Sequence, residues 1–218
     1  MSGNEIFVHL FATGDAELNL DSQTVSIRQK TEYPWNGKVS IEVSPEKKGN
    51  WTLSVRIPAW CRKSSLRVNG KKILLSGIMK NGYAKLARTW EKGDKVELDL
   101  DMPVERIEAH PSSSHNCGRV ALQRGPIVYC LEEVDNGKDL EDISLPRNSH
   151  LSAVKEPLFG GIVTIAGKAL RRDRSSWSKK LYSNGKSPLK PCSIKAIPYL
   201  LWANRKPGEM LVWIRERQ

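Results

Sequence analysis

Hydrophobic and polar residues alternate with a two-residue period over most of this chain. Ile6, Val8 and Leu10 are interleaved with Phe7, His9 and Phe11; Val25 and Ile27 follow, then Val39, Ile41 and Val43, then Trp51, Leu53, Val55 and Ile57. Successive side chains of a strand point to opposite faces, so this alternation predicts strands with one buried face. Asn69-Gly70 separates Leu66-Arg67-Val68 from Ile73-Leu74-Leu75. Both residues tolerate positive φ, which a two-residue type I′ hairpin requires. Asn81-Gly82 leads into Tyr83-Ala84-Lys85-Leu86, and Lys92-Gly93-Asp94 turns into Val96, Leu98 and Leu100. Strands punctuated by turns about every eight to twelve residues predict a sandwich or barrel rather than βαβ units. No amphipathic helix longer than two turns is expected. The fold class is therefore all-β: two tandem antiparallel β-sandwich, jelly-roll-like domains.

The seam falls at Asp101-Met102-Pro103, because proline ends one strand and can only begin another. The expected domains are 1–102 and 103–218. In the second, strands are expected over 104–109, 118–123, 126–131, 161–166, 194–202 and 210–215. Gly118 to Glu132 reads as two short strands broken at Gly125-Pro126, where proline removes a ladder donor. Two polar segments, near 135–150 and 171–191, are long for loops in a compact domain. They are expected to be functional, partner-covered or mobile.

Composition adds little: 39% hydrophobic and 27% charged residues suit a soluble globular protein. No run of eighteen or more apolar residues predicts a membrane span, and no basic stretch followed by an apolar one marks a signal peptide. Cys61, Cys117, Cys130 and Cys192 are scattered without a CxxC pair. No disulfide framework is expected, and a reducing, cytoplasmic location fits. The net charge of +11 is uneven. Residues 1–102 carry 16 basic and 12 acidic groups, residues 103–160 carry 6 and 9, and residues 161–218 carry 13 and 3. The excess gathers around Arg171, Arg172, Arg174, Lys179, Lys180, Lys186 and Lys190. Such a patch can bind a polyanion. Without a helix-turn-helix, RNA-binding or zinc-finger pattern, a solvated loop or a surface for an acidic neighbour explains it more simply, and nucleic acid is not the expected partner.

Candidate chemistry is sparse. His110-Pro111-Ser112-Ser113-Ser114-His115-Asn116-Cys117 is the one local grouping of metal-capable side chains, but its spacing fits no common zinc module. It reads as an interdomain turn with His110 as a contact residue. Cys61 and Cys130 lie in strand patterns, where a small buried thiol is the default. Glu132-Glu133 cannot act jointly as a facing acid and base, since neighbours on a strand face opposite ways, and a solvated face is expected for them. Trp51, Trp60, Trp202 and Trp213 alternate with aliphatics as core or interface residues do. Trp35, beside Pro34 and Asn36-Gly37, is the one expected at the surface. Arg119 and Arg124 flank a strand with little other charge. Guanidinium groups in such places meet carboxylates bidentately, and the partner is expected in the other domain or on a further one. No Gly-x-Ser-x-Gly, phosphate-binding loop or dinucleotide fingerprint occurs.

Four blocks carry a family resemblance. Ile6 to Phe11 comes first; Tyr33-Pro34-Trp35-Asn36-Gly37-Lys38-Val39 and Arg56-Ile57-Pro58-Ala59-Trp60-Cys61 come next. Gly118 to Glu132 follows, and then Ala196-Ile197-Pro198-Tyr199-Leu200-Leu201-Trp202-Ala203-Asn204-Arg205 with Met210-Leu211-Val212-Trp213-Ile214. In this order they resemble the C-terminal half of the β-L-arabinofuranosidase-type glycoside hydrolases, glycoside hydrolase family 127. The resemblance implies an (α/α)6 barrel followed by two β-sandwiches. It also implies a barrel zinc held by a glutamate and three cysteines, with one cysteine of an adjacent pair as nucleophile and retention at the anomeric carbon. Zinc keeps a thiolate ionised, and an acid must protonate the leaving oxygen.

This chain has no adjacent cysteines and no Glu-x-Cys, so no catalytic or metal residue of the family carries over. The expectation is a non-catalytic scaffold region, inactive alone and without a cofactor of its own, that buttresses the family's zinc-bearing barrel. The barrel, or a split-gene partner chain carrying it, is the expected partner, with a homodimer as a further option. One alternative is a carbohydrate-binding module using exposed tryptophans on an arabinose-containing glycan. The other is a polyanion-binding protein using the basic 161–218 region.

Overall fold

The computed structural model describes residues 3–175, 177 and 180–217, and the chain divides into two compact units, 1–102 and 103–218. Both are built almost wholly from strands. The first unit contains β1 (Glu5–Val8), β2 (Gly14–Leu20), β3 (Gln23–Thr31), β4 (Lys38–Pro45), β5 (Gly49–Arg56), β6 (Ser64–Val68), β7 (Lys71–Ile73), β8 (Met79–Lys80), β9 (Tyr83–Trp90) and β10 (Asp94–Leu100). They form a four-stranded sheet, β1-β5-β9-β8, and a six-stranded sheet, β2-β3-β4-β10-β6-β7. The alternation read from the sequence maps onto one shared core. Ile6, Val8, Trp51, Leu53, Val55, Leu86 and Trp90 come from one sheet, and Val25, Ile41, Val43, Leu66, Val96 and Leu98 from the other. Pairing is antiparallel except for β1, which lies parallel to β5.

Two hairpins confirm the turn chemistry. Asn69 and Gly70 have φ of 49° and 76°, and Val68 pairs with Lys71 around them. Asn81 and Gly82, at 51° and 81°, close β8 onto β9 in the same way. Inside the core the Trp51 and Trp90 rings lie 5.3 Å apart, and the Trp90 indole N–H donates to the Trp51 carbonyl at 3.1 Å. A large apolar ring is thus buried with its one polar atom satisfied.

The second unit contains β11 (Val104–Glu108), β12 (Arg119–Arg124), β13 (Ile127–Glu132), a one-turn helix α1 (Glu133–Asn136), β14 (Ile143–Pro146), β15 (Leu151–Glu156), β16 (Ile162–Arg172), β17 (Leu189–Pro198), β18 (Met210–Leu211) and β19 (Ile214–Arg217). The turn at Gly125-Pro126 joins β12 to β13 as an antiparallel hairpin, with Arg124 opposite Ile127. The ladder then continues from β13 to β17, β16, β14 and β19, and returns from β19 to β12. The two layers of this domain are therefore one closed ring of hydrogen bonding. Strands β11, β15 and β18 attach to its outside. The β14–β19 pair is parallel. Val120, Leu122, Tyr129, Leu131, Leu145, Ile165, Ile197 and Ile214 fill the buried side.

Several elements differ from expectation. Segment 135–150 is not simply a polar loop: Leu140, Ile143 and Leu145 are 0–1% exposed, and β14 closes the ring. Strands β2, β14 and β15 were not expected, because none carries more than two large aliphatics among its polar residues. Segment 171–191 is shortened at both ends by the pairing of Arg172 with Leu189. Strand β17 stops at Pro198, four residues before the expected end, and the chain turns through Tyr199–Leu201. Of the basic residues of that region, Lys179 lies outside the described ones.

Candidate functional site

The dispersed thiols and imidazoles do not gather. Cys130 is buried in β13, and burial pushes its thiol up to about 12. Cys61 lies in a turn after β5 rather than in a strand, with its Sγ donating to the Lys63 carbonyl at 3.0 Å. Its pKa and that of Cys192 are also raised by burial. None of these three has the electropositive, exposed surroundings that ionise a thiol. In the 110–117 turn, His110 Nδ1 accepts from the Ser112 N–H at 3.2 Å and Cys117 Sγ points at the Pro111 carbonyl. Among the described residues no group of three or more His, Cys, Asp or Glu could hold a metal ion. The residues present therefore do not fit the zinc site that the family resemblance implies.

Arg119 is held within its own domain. Arg119 Nη1 donates to both carboxylate oxygens of Glu141, at 3.1 and 2.9 Å, and to the Trp213 carbonyl at 3.0 Å. The carboxylate expected on another domain is thus Glu141, 22 residues along the same one. Arg124 stands by the buried Tyr129, whose hydroxyl burial pushes up to about 12 against the opposing pull of that guanidinium. Replacing Arg119 by lysine should cost about 1 kcal/mol. The loss is mainly the bond to Trp213, because Glu141 is more than half exposed and a solvent-facing ion pair adds little. A urea midpoint equal to wild type would show that the bond contributes nothing.

The basic region is partly neutralised from within. Arg171 donates to the carbonyls of Asn136, Lys138 and Asp139, Arg174 pairs with Asp139 and Asp142, and Lys190 pairs with Asp173 at 2.8 Å.

A denser polar cluster lies beneath residues 199–209, where sequence reasoning expected only strand and solvated charge. Glu132, expected on a solvated face, is 4% exposed. The Arg205 guanidinium bridges Glu132 and Asp135, and the Ala203 N–H donates to Glu132 at 3.1 Å. Lys195 binds the other oxygen of Asp135 at 3.0 Å and reaches Glu156 at 3.4 Å. Burial alone would raise the Asp135 carboxyl, but hydrogen bonds from Arg205 and Lys195 hold it below its ordinary value of 3.8. The Arg205 guanidinium is raised in turn, chiefly by Asp135. These pairs bind the turn after β17 to β13 and α1, and that turn holds Trp202 outward, 42% exposed. Trp202 was expected as a core or interface residue and is not in the core, whereas Trp35, expected at the surface, is half-buried. The pairing partners are some 70 residues apart in sequence, which is why no local signal revealed them.

The comparisons agree with this two-unit organisation. A family model described as the GH127 middle domain of β-L-arabinofuranosidase matches residues 5–102, and one described as the glycoside hydrolase family 127 C-terminal domain matches residues 104–215. A non-reducing end β-L-arabinofuranosidase of Bifidobacterium longum subsp. longum is 31% identical, over 98% of this chain and 33% of its own length. The crystal structure of a GH127 β-L-arabinofuranosidase from Geobacillus stearothermophilus T6 has a TM-score of 0.97 and 47% identity, over 100% of this chain and 34% of that one. A third, a solved GH127 β-arabinofuranosidase, has a TM-score of 0.89 and 30% identity, over 100% and 36% of the two chains. The chain thus spans about a third of the length of these relatives. With nearly all of its residues matched in order by those two models, the chain belongs to glycoside hydrolase family 127 and comprises the family's middle and C-terminal domains.

Proposed function

We propose that these domains are the non-catalytic scaffold of an arabinofuranosidase-type glycoside hydrolase, acting as a buttress for a catalytic portion that brings its own zinc and nucleophile. The observation that carries this reading is the pairing of a middle-domain and a C-terminal-domain match with cysteines that are dispersed, the thiols of Cys61, Cys130 and Cys192 being pushed up by burial. The relatives' printed names make β-L-arabinofuranosides the substrate class of the whole enzyme. A retaining glycosidase needs an acid and a nucleophile across one glycosidic bond; the two carboxylates that the second domain brings together, Glu132 and Asp135, are both taken up by Arg205.

A sugar-binding role has weaker support. The depression on the outer side of the six-stranded sheet is lined by residues such as Lys30, Ser40, Arg67, Glu97 and Asp99, without an aromatic platform. Incubated alone with β-L-arabinofuranosyl substrates and zinc, the chain should release no arabinose. Zinc-dependent turnover would overturn the scaffold reading.

A further inference from the structure

Part of the positive charge of the second domain is left unspent on one outer face. Strands β19, β14 and β16 lie side by side, with Arg215 opposite Ser144 and Ser144 opposite Leu170. Side chains two residues apart on a strand share a face, so Arg217 stands with Arg215, and Arg172 with Leu170. The three guanidinium groups line one depression of about 460 Å³, which Trp177 and Lys186, from the segment between β16 and β17, also line.

The depression holds acids too, and each is already engaged. Glu141 is taken by Arg119, Asp142 by Arg174, and Glu216 by Arg106 at 2.9 Å. Among the described residues, Arg172, Arg215, Arg217 and Lys186 have no hydrogen-bond or ion-pair partner of their own. The charge left over is therefore positive, and it calls for an anion.

The remaining lining narrows which anion. The Trp177 indole N–H donates to Ser187 Oγ at 2.6 Å, so this half-buried side chain offers a ligand ring surface rather than a donor. Guanidinium groups match a planar carboxylate bidentately. Glu141, more than half exposed, can still accept from a hydroxyl. A nucleic-acid strand would lay successive phosphates against the three acids, and a small inorganic anion would leave the ring uncovered. A sugar acid uses cation, ring and acceptor together.

We propose that Arg172, Arg215, Arg217 and Trp177 form a binding site for a hexuronate residue of an acidic glycan. The guanidinium groups take its carboxylate and the indole covers one face of its ring. This goes beyond the scaffold reading and requires no hydrolysis by the chain. The test is calorimetric titration of the whole chain with a galacturonate trimer. Binding should saturate and should weaken as salt rises. The methyl ester of the trimer, which keeps the rings and loses the charge, should bind at least about tenfold more weakly. Arg215→Gln and Trp177→Ala should each weaken binding of the trimer about tenfold. Arg215→Gln should leave the urea midpoint unchanged, since that side chain is exposed. Lys206→Gln removes the same charge outside the depression and should bind as wild type does. No saturable binding, or equal losses from Lys206→Gln and Arg215→Gln, overturns the site. Inorganic phosphate or single-stranded DNA bound as tightly as the trimer overturns the sugar assignment. Release of arabinose is a separate measurement, so the scaffold reading stands or falls independently.

Discussion

Replacing Arg205 by methionine should destabilise the second domain by about 3 to 5 kcal/mol, the cost of removing one member of a buried charged cluster. Methionine keeps much of the side-chain volume, so the loss is electrostatic rather than a cavity. Glu132, 4% exposed, would retain only the Ala203 N–H, and Asp135 would depend on Lys195 alone. Urea unfolding followed by fluorescence reads the effect as a lower midpoint. An unchanged midpoint would show that solvent already screens these charges. Adding Glu132→Gln should restore part of the loss, because an uncharged partner no longer needs a cation. The cluster also sets a pH dependence. The folded Asp135 carboxyl lies below its unfolded value of 3.8. Its contribution is therefore fully present above that value and is lost as pH falls through the lower, folded pKa. In the Arg205 variant the acid limb of the stability profile should move toward higher pH.

Replacing Gly37 by alanine should cost the first domain about 3 kcal/mol. The reason is close approach rather than conformation, since Gly37 does not have a positive φ. A Cβ built there would stand 1.9 Å from the Leu100 carbonyl oxygen and 2.8 Å from its carbon. Neither side can yield cheaply. The Leu100 N–H donates to the Gly37 carbonyl at 3.0 Å, and the Leu100 side chain is 2% exposed in the core. Overpacking against fixed backbone costs about 1 to 3 kcal/mol, sometimes more. Thermal unfolding should show the lower-melting transition in residues 1–102, with the second domain's transition unmoved. Equal melting of Gly37→Ala and wild type would mean that the two segments part freely.

The Tyr33 to Val39 block thus carries a structural requirement that its strand pattern alone did not show. Strands such as β4, β5 and β10 were legible because one face of each is apolar at every second residue. The Asn-Gly turns were legible because only a few residues accept positive φ. Strand β14 was not: its four residues, Ile143-Ser144-Leu145-Pro146, sit among charges, and their burial depends on β16 and β19. Glu132 was misread for the same reason. Alternation correctly separates it from Glu133, but it cannot foresee Arg205 arriving from 73 residues away. The strand expected to reach Trp202 ends early because periodicity continues past Pro198 while the extended backbone does not. Among the four candidate contact residues, Arg119 found its carboxylate nearby and His110 caps its own turn. The ring of Trp35 is half-buried and Arg124 attends Tyr129, so the Arg205 cluster lay outside that set.

The closed ring of the second domain also governs how the chain must be made. Strand β19 is inserted between β12 and β14, and its residues are the last to leave the ribosome of any in the ring. Until Ile214–Arg217 emerges, β14 presents an unpaired edge and the Arg119–Val120 end of β12 lacks its partner, the kind of template on which nascent chains aggregate. The first domain draws all its strands from residues 1–102 and has no such wait. Synthesis should therefore yield a folded first domain trailing an open second one. That interval, more than either finished fold, is where a chaperone or a partner surface has most to protect.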